Sequence, residues 1–210
     1  MHQYLDKYPI DPCSEQVIVG TIHPHETANF KIPFFYGNKL SLWELLDKAS
    51  GGEIGIPITL ENVLQFLCRR KIAMSDTVRE CYRKSTTWAD NDLIPIRLNT
   101  ELFDQIRNSE IREVLFMSGF GKNNAFKLFY VDMLGLRITS KIRNEREVLL
   151  EPSVFGRSIK LSILYSPSGA ANIAFAQSEI YQNNREQYAA SPTPVYDCKV
   201  DYYRKKFNLG

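Results

Sequence analysis

The run Val17-Ile18-Val19 constrains this chain most. It is rich in β-branched residues and too short for a helix, so it reads as a buried strand. The strand ends at Gly20 and is followed by about 17 residues of loop, His23 to Lys39, holding two histidines, two prolines and four aromatic side chains. Connections of that length are uncommon unless they bind something. Leu42-Trp43 with Leu45-Leu46 then lays down an apolar stripe at helical spacing, with Ser41 as a candidate cap and Glu44 in the first turn. Strand, long aromatic loop and helix together form the opening unit of an open α/β sheet, in which ligands lie beyond the carboxyl ends of the strands.

The same alternation recurs. Thr59 and Asn62 open a helix whose apolar residues Leu60, Val63, Leu64 and Leu67 share a face, and Ile72-Ala73-Met74 follows as a second strand. Arg79 to Asp92 is polar and reads as irregular, with Trp88 packing inward, and Asn99-Thr100-Glu101 starts a helix ending near Asn108. Val114 to Met117 is the third strand, turned by Ser118-Gly119-Phe120-Gly121 into a helix from Asn123 to Leu134. Ile159 to Tyr165 is the fourth, stopping at Ser166-Pro167-Ser168-Gly169 before a helix opened by Ala170-Ala171-Asn172 that runs past Tyr181. Parallel strands need crossover helices, so the expected fold is a three-layer α/β/α sandwich with a mainly parallel four-stranded sheet. Its strand ends, Gly20-Thr21-Ile22-His23, Ser75-Asp76, Ser118-Gly119 and Ser166 to Gly169, then lie on one edge.

The 210 residues suit a single domain, 1–210, with a lead-in over 1–15 broken by Pro9 and Pro12, and an extended C-terminal tail over 191–210. A net charge of +2 neither demands nor forbids a polyanionic partner. Cys13, Cys68, Cys81 and Cys198 are scattered without paired metal spacing and follow no secretory signal, so they read as reduced thiols in a cytoplasmic protein. No apolar run reaches the roughly 20 residues that cross a bilayer. A soluble monomer without membrane contact is expected.

Taken in order, these pieces resemble the uracil-DNA glycosylase superfamily. The first stretch, with its glycine-led strand end, paired aromatic, Tyr36-Gly37-Asn38 run and Trp43, is similar to the hypoxanthine and mismatch-type branches. Lys71 to Asp76 with Cys81, Arg83, Ser85 and Asp90 resembles the second segment of that branch, and Val114 to Phe129 its third strand and helix. Ser166 to Asn172 resembles the last motif, the loop that enters DNA in these enzymes. The resemblance covers roughly residues 15 to 175. It implies a uracil-DNA glycosylase-like fold, DNA as partner, no cofactor and no metal, and excision of a deaminated or altered base by base flipping and hydrolysis of the N-glycosidic bond.

By this resemblance, His23 takes the water-positioning place and Asn38 is the second catalytic candidate. Gly20, Thr21, Ile22, Pro24, Phe34, Phe35, Tyr36 and Ser118 would line the base pocket. Ser166, Pro167, Ser168, Gly169, Ala170 and Asn172 would contact DNA. Two positions depart from the family pattern. His23 stands where better-known branches carry Asp or Asn, and Leu40-Ser41 where the hypoxanthine-type branch carries Asn before the helix Trp. A DNA- or nucleotide-binding protein of the same fold without the chemistry is therefore the alternative. The residues alone also read more plainly: His23 and His25 as loop histidines held by backbone groups, Phe34 to Tyr36 as packing, Ser166 to Gly169 as a helix cap and Asp76 as a structural cap.

Overall fold

A computed structural model describes residues 1–24, 27–84 and 90–210. In chain order its elements are β1 (Gln16–Gly20), α1 (Ser41–Ala49), α2 (Leu60–Arg69), β2 (Ile72–Asp76), β3 (Val78–Arg83), β4 (Leu93–Leu98), α3 (Glu101–Arg107) and β5 (Glu113–Phe116). There follow α4 (Ala125–Lys127), a π-helical segment (Leu128–Met133), α5 (Ser140–Glu145), β6 (Glu147–Leu150), α6 (Pro152–Phe155) and β7 (Ile159–Ile163). The last are α7 (Asn172–Ala176), α8 (Glu179–Asn184) and α9 (Pro194–Lys206). The chain divides into two compact units, Met1–Ala28 with Leu67–Leu164, and Asn29–Phe66 with Tyr165–Gly210.

Unit 1 holds a five-stranded sheet in the order β2-β1-β5-β7-β6. The first four strands are mutually parallel and β6 is antiparallel to β7. The chain is thus α/β with a mainly parallel sheet, as expected, but with five strands in place of four. Register sets Val17 beside Val114 and Val114 beside Leu161, so alternate residues form one apolar face. Val17, Val19, Val114, Phe116, Leu161 and Ile163 on that face pack with Phe126, Phe129 and Phe155. Ile18 and Leu115 on the other face are buried as well, as strands of a parallel sheet require.

Several expectations are corrected. Arg79 to Asp92 is not wholly irregular, because β3 runs into it as far as Arg83 and pairs antiparallel with β4. Its mixed composition suits a two-stranded ribbon that leaves Tyr82, Ile94 and Ile96 exposed. The helix predicted from Asn123 begins two residues later, since Asn123 is left-handed at φ 59°, and it widens into the π-helical segment, where the Leu134 N–H donates to Phe129 O. The helix predicted past Tyr181 breaks into α7 and α8, with Ser178 capping the second through Tyr181 N. At α1, Leu40 is the N-cap residue and Ser41 already lies inside the helix. The expectation for Trp88, like that for His25, falls outside the described residues.

In unit 2 the tail proposed as extended is the helix α9. Pro194 sits in its first turn, where a missing N–H costs nothing, so the proline starts the helix instead of preventing it. Cys198, Val200, Tyr202 and Tyr203 are buried on it. Arg204 Nε donates to Ala49 O at the end of α1 at 2.9 Å, and Lys48 Nζ pairs with Asp197 at 2.7 Å. The long loop before α1 is packed here too. Gly37 N donates to Phe34 O and Gly37 O accepts from Lys31 N, and a Cβ on Gly37 would stand 1.9 Å from Ile32 O, so only glycine fits.

The turn from α3 into β5 depends on one side chain. Arg157 donates to Ile106 O (2.7 Å), Ser109 O (2.7 Å), Ile111 O (2.8 Å) and Arg107 O (3.3 Å), a cation set against carbonyls left over at a helix end. Arg157→Met keeps the length but takes the guanidinium donors from Arg107 O, Ser109 O and Ile111 O, while Ile106 O keeps the Ser109 N–H and hydroxyl. It is expected to lower unfolding free energy by about 2 kcal/mol, read as a lower urea midpoint at unchanged slope.

Candidate active site

The order β2-β1-β5-β7 places the switch in winding direction between β1, whose crossover leads outward to β2, and β5, which lies on its other side. Crevices form at such a point beyond the carboxyl ends of the two strands. Thr21 directly follows β1 and Ser118 lies two residues past β5, and their hydroxyl oxygens are 3.3 Å apart. Ser118 Oγ also accepts from Ala125 N at 2.8 Å, which seats the start of α4 on the strand end. The N–H groups of Thr77 and Val78 donate to the carbonyls of Gly20 and Thr21, so β2 and β3 wrap over the end of β1.

A carboxylate completes the cluster. Thr21 Oγ1 donates to Asp90 Oδ2 at 3.0 Å, and burial of Asp90 pushes its carboxyl up to about 6, against the opposing influence of the Thr21 hydrogen bond and the nearby Arg83 charge. Asn123 fixes that segment, its Nδ2 donating to Asp90 O at 2.8 Å and to Leu93 O at 2.7 Å. Near neutral pH Asp90 can therefore hold or release a proton beside two hydroxyls. Asp90 belongs to the segment whose resemblance was noted, but its burial and the role of Asn123 have no signal in the local sequence.

His23 lies on the same edge, with its tautomer settled by its neighbours. Nε2 accepts from Gln3 N at 3.0 Å, so the proton is on Nδ1, which donates to Pro24 O at 2.7 Å. Burial lowers its pKa, only partly opposed by the Pro24 hydrogen bond. Behind it, His2 Nδ1 accepts from the N–H groups of Tyr4 and Leu5, leaving Nε2 to donate to Asp76 Oδ2 at 2.7 Å. The lead-in is thus anchored in the fold, with His2 standing edge-on to His23 at 4.6 Å. Asp76, read as a cap, is the buried acceptor of this pair.

The remaining candidates lie in unit 2. Phe34 and Phe35 are 2% and 1% exposed and meet each other edge to face, with Phe34 also against Trp43, while Trp43 Nε1 donates to Phe35 O at 3.0 Å. Tyr36, left-handed at φ 54°, and Asn38 are half-buried on the turn that follows. Of the loop after β7, Gly169 and Ala170 are exposed, Ser166, Ser168 and Asn172 half-buried, and Pro167 buried. Lys199 on α9, itself fully buried, holds this loop by donating to Asn172 Oδ1 at 2.5 Å and Ser166 O at 3.1 Å. Desolvation draws its ammonium down to about 8. The structure thus brings Gly20, Thr21, Ile22, His23, Pro24 and Ser118 together within unit 1, and Phe34, Phe35, Tyr36 and Asn38 on one loop of unit 2.

Among the described residues no group of three or more His, Cys, Asp or Glu side chains could hold a metal ion, and no helix is long and apolar enough to cross a membrane. No family model matches the chain, and no curated protein matches it. Among solved structures it is similar to a solution NMR structure from Methanosarcina acetivorans, a protein provisionally named a uracil DNA glycosylase, with 16% identity and a TM-score of 0.47 over 95% of this chain and 94% of that one.

Two consequences can be measured. A carboxyl raised by folding binds its proton more tightly folded than unfolded, so ionised Asp90 costs stability above about pH 6 and the cost fades as pH falls toward the ordinary range. Asp90→Asn is expected to stabilise the protein at pH 8 by up to about 3 kcal/mol, with most of the gain lost by pH 4. Lys199→Met should leave Ser166 O and Asn172 Oδ1 without their donor and speed amide exchange over residues 168–172, with little change in β1 or β5.

Proposed function

We propose that this protein is a DNA glycosylase that flips a deaminated or altered base, of uracil or hypoxanthine type, out of the stack and hydrolyses its bond to the sugar. The observation that carries the reading is the Thr21-Asp90-Ser118 cluster at the switch point between β1 and β5, with a carboxyl that titrates near 6. Breaking an N-glycosidic bond leaves positive charge on the sugar and negative charge on the departing base. A carboxylate that positions water and balances the first charge, with neutral donors for the second, suits that charge pattern. Asp90 takes the first role in this reading, oriented by the Thr21 hydroxyl that donates to it, with the Ser118 hydroxyl beside them as the donor toward the departing base. His23, neutral and fixed between Gln3 N and Pro24 O, shapes the pocket wall beside them.

The order of sequence motifs supports DNA as the substrate. So does the segment after β7, where Ile173 in the first turn of α7 is 78% exposed and follows the small residues Gly169 to Ala171, an apolar side chain that in this reading would serve as a wedge between base steps. The reaction class draws on no cofactor or metal.

A second reading has its own support. Both ring nitrogens of His23 are taken by backbone groups, so a protein relying on His23 as base would bind DNA without cutting the glycosidic bond.

One assay separates the readings. Duplex and single-stranded oligonucleotides carrying uracil, hypoxanthine, xanthine or a mismatched thymine are incubated with the protein and treated with alkali to reveal abasic sites. Cleavage of at least one substrate, with an acid limb near pH 6 and a loss on the order of 100-fold in single-turnover rate for Asp90→Asn, is the expected outcome. Loss of cleavage in His23→Ala with Asp90→Asn fully active would move the base to His23. Binding without abasic sites on any substrate would leave the second reading.

A further inference from the structure

The loop after β5 carries a feature that the chemistry at Thr21 and Asp90 does not use. Two residues beyond Ser118, the half-buried Phe120 stands edge-on to Phe126 at 5.7 Å, and two guanidinium groups approach its ring, Arg143 at 5.1 Å and Arg146 at 5.5 Å from the centroid. Arg146 is fixed in place, its Nε donating to Ile163 O at 3.0 Å and its Nη2 to Leu164 O at 2.9 Å, at the end of β7. The loop itself is held by Asn124, whose side-chain oxygen, in the orientation that satisfies both, accepts from Gly119 N at 3.3 Å and Gly121 N at 3.2 Å.

Arg143 is exposed, and its side chain makes no hydrogen bond or ion pair with any described residue; the same holds for exposed Lys122 on the Phe120 loop. Of the carboxylates near Arg143 and Lys122 in the chain, Asp132 pairs with Lys127 (3.2 Å) and Glu145 with Lys141 (3.9 Å). Gathering two like charges around one ring is unfavourable by itself, and an anion arriving between them relieves it. A guanidinium that is already oriented by an aromatic face, and has its donors unspent, matches the oxygens of a phosphodiester.

The geometry points to a DNA-phosphate contact surface formed by Arg143, Arg146, Phe120 and Lys122 at the carboxyl ends of β5 and β7. Its choice of DNA rests on the glycosylase reading. The surface begins on the loop that supplies Ser118, and Phe120 lies no more than about 7 Å of backbone from that residue. A strand whose flipped nucleotide reaches Ser118 would therefore run its phosphates past Arg143. Phe120 adds a ring face or edge against which a neighbouring sugar or base can rest.

The test is the salt dependence of binding to a short undamaged DNA duplex, followed by fluorescence anisotropy, for the parent, Arg143→Ala and Lys141→Ala. Both variants remove one exposed cation from α5, but only Arg143 belongs to the surface, so net charge is matched and any difference is positional. Arg143→Ala is expected to weaken binding about fivefold to tenfold and to lower the slope of log affinity against log salt by about 1, with Lys141→Ala close to the parent. Equal slopes for parent and Arg143→Ala would overturn the surface, and so would equal losses in both variants; either result leaves the glycosylase reading standing if abasic sites are formed. Arg143-dependent binding by a protein that forms no abasic sites would keep the surface and remove the chemistry. A parent that does not bind DNA would remove both.

Discussion

Parallel pairing of β1 with β5 is the constraint from which the candidate site follows. Because β1 is also paired with β2 on its other edge, the chain must cross outward in one direction to make β2 and later return on the opposite side of β1 to make β5. That reversal leaves no crossover running over the gap between the ends of β1 and β5. The residues just beyond those ends, Thr21 and Ser118, are distant in sequence yet share a hydroxyl contact. Nothing about threonine or serine requires this. It follows from strand order, and strand order follows from which apolar runs are short enough to be strands.

What fills the gap carries a cost. Asp90 is brought to it by the return into β4, and its environment disfavours the charged form enough to raise its titration to about 6. The fold tolerates this because neighbouring polar groups are satisfied: Asn123 spends its amide on Asp90 O and Leu93 O, Asn99 holds Asp76 O at 2.9 Å, and His2 takes one oxygen of Asp76. Buried polar groups are affordable only in such connected sets. The satisfaction is not complete. Asn99 Oδ1, Arg79 Nε and Arg83 Nη1 are buried without a partner among the described residues, the last on a side chain that donates another nitrogen to His23 O on the same edge as the Asp90 carboxyl. Sites that bind a charged ligand commonly keep donors in reserve.

The parts of the fold legible in the sequence are those where burial on both faces forces a continuous apolar run. Val17 to Val19, Ile72 to Met74 and Val114 to Phe116 show this, whereas Ile159 to Ile163 alternates with Lys160 and Ser162 and is legible by its period of two; all four are strands of the sheet. Where one face is wet, the signal fails. β3 mixes Arg79, Glu80 and Arg83 with Val78 and Tyr82 because it belongs to a two-stranded ribbon, and β6 is four residues on the sheet edge. α9 was hidden by its own start signal, since Pro192 and Pro194 read as breakers unless the second is placed in the first turn of a helix. At the site, Thr21, Ser118 and His23 were visible as polar residues at strand ends. Asp90 was visible only as part of a motif, and Asn123, Asn99 and His2 not at all, because their partners are 23 to 74 positions away and chain reversal alone creates the contact.

The structure also separates two kinds of histidine role that sequence could not. A ring nitrogen acts as a base only while its lone pair is free, and the Nε2 of His23 receives the Gln3 N–H, a bond made by the same lead-in that His2 anchors on Asp76. The first residues of the chain therefore fix the protonation pattern at the mouth of the sheet. An aspartate in this place would have presented two acceptor oxygens and kept one available after such a bond. The imidazole has only one acceptor nitrogen and its other nitrogen is committed to Pro24 O, so both ring positions of His23 are occupied. The carboxyl on this edge of the sheet whose titration is raised to about 6 is that of Asp90, tied to β1 by Thr21, and in the reading we propose Asp90 is the group that serves as proton acceptor.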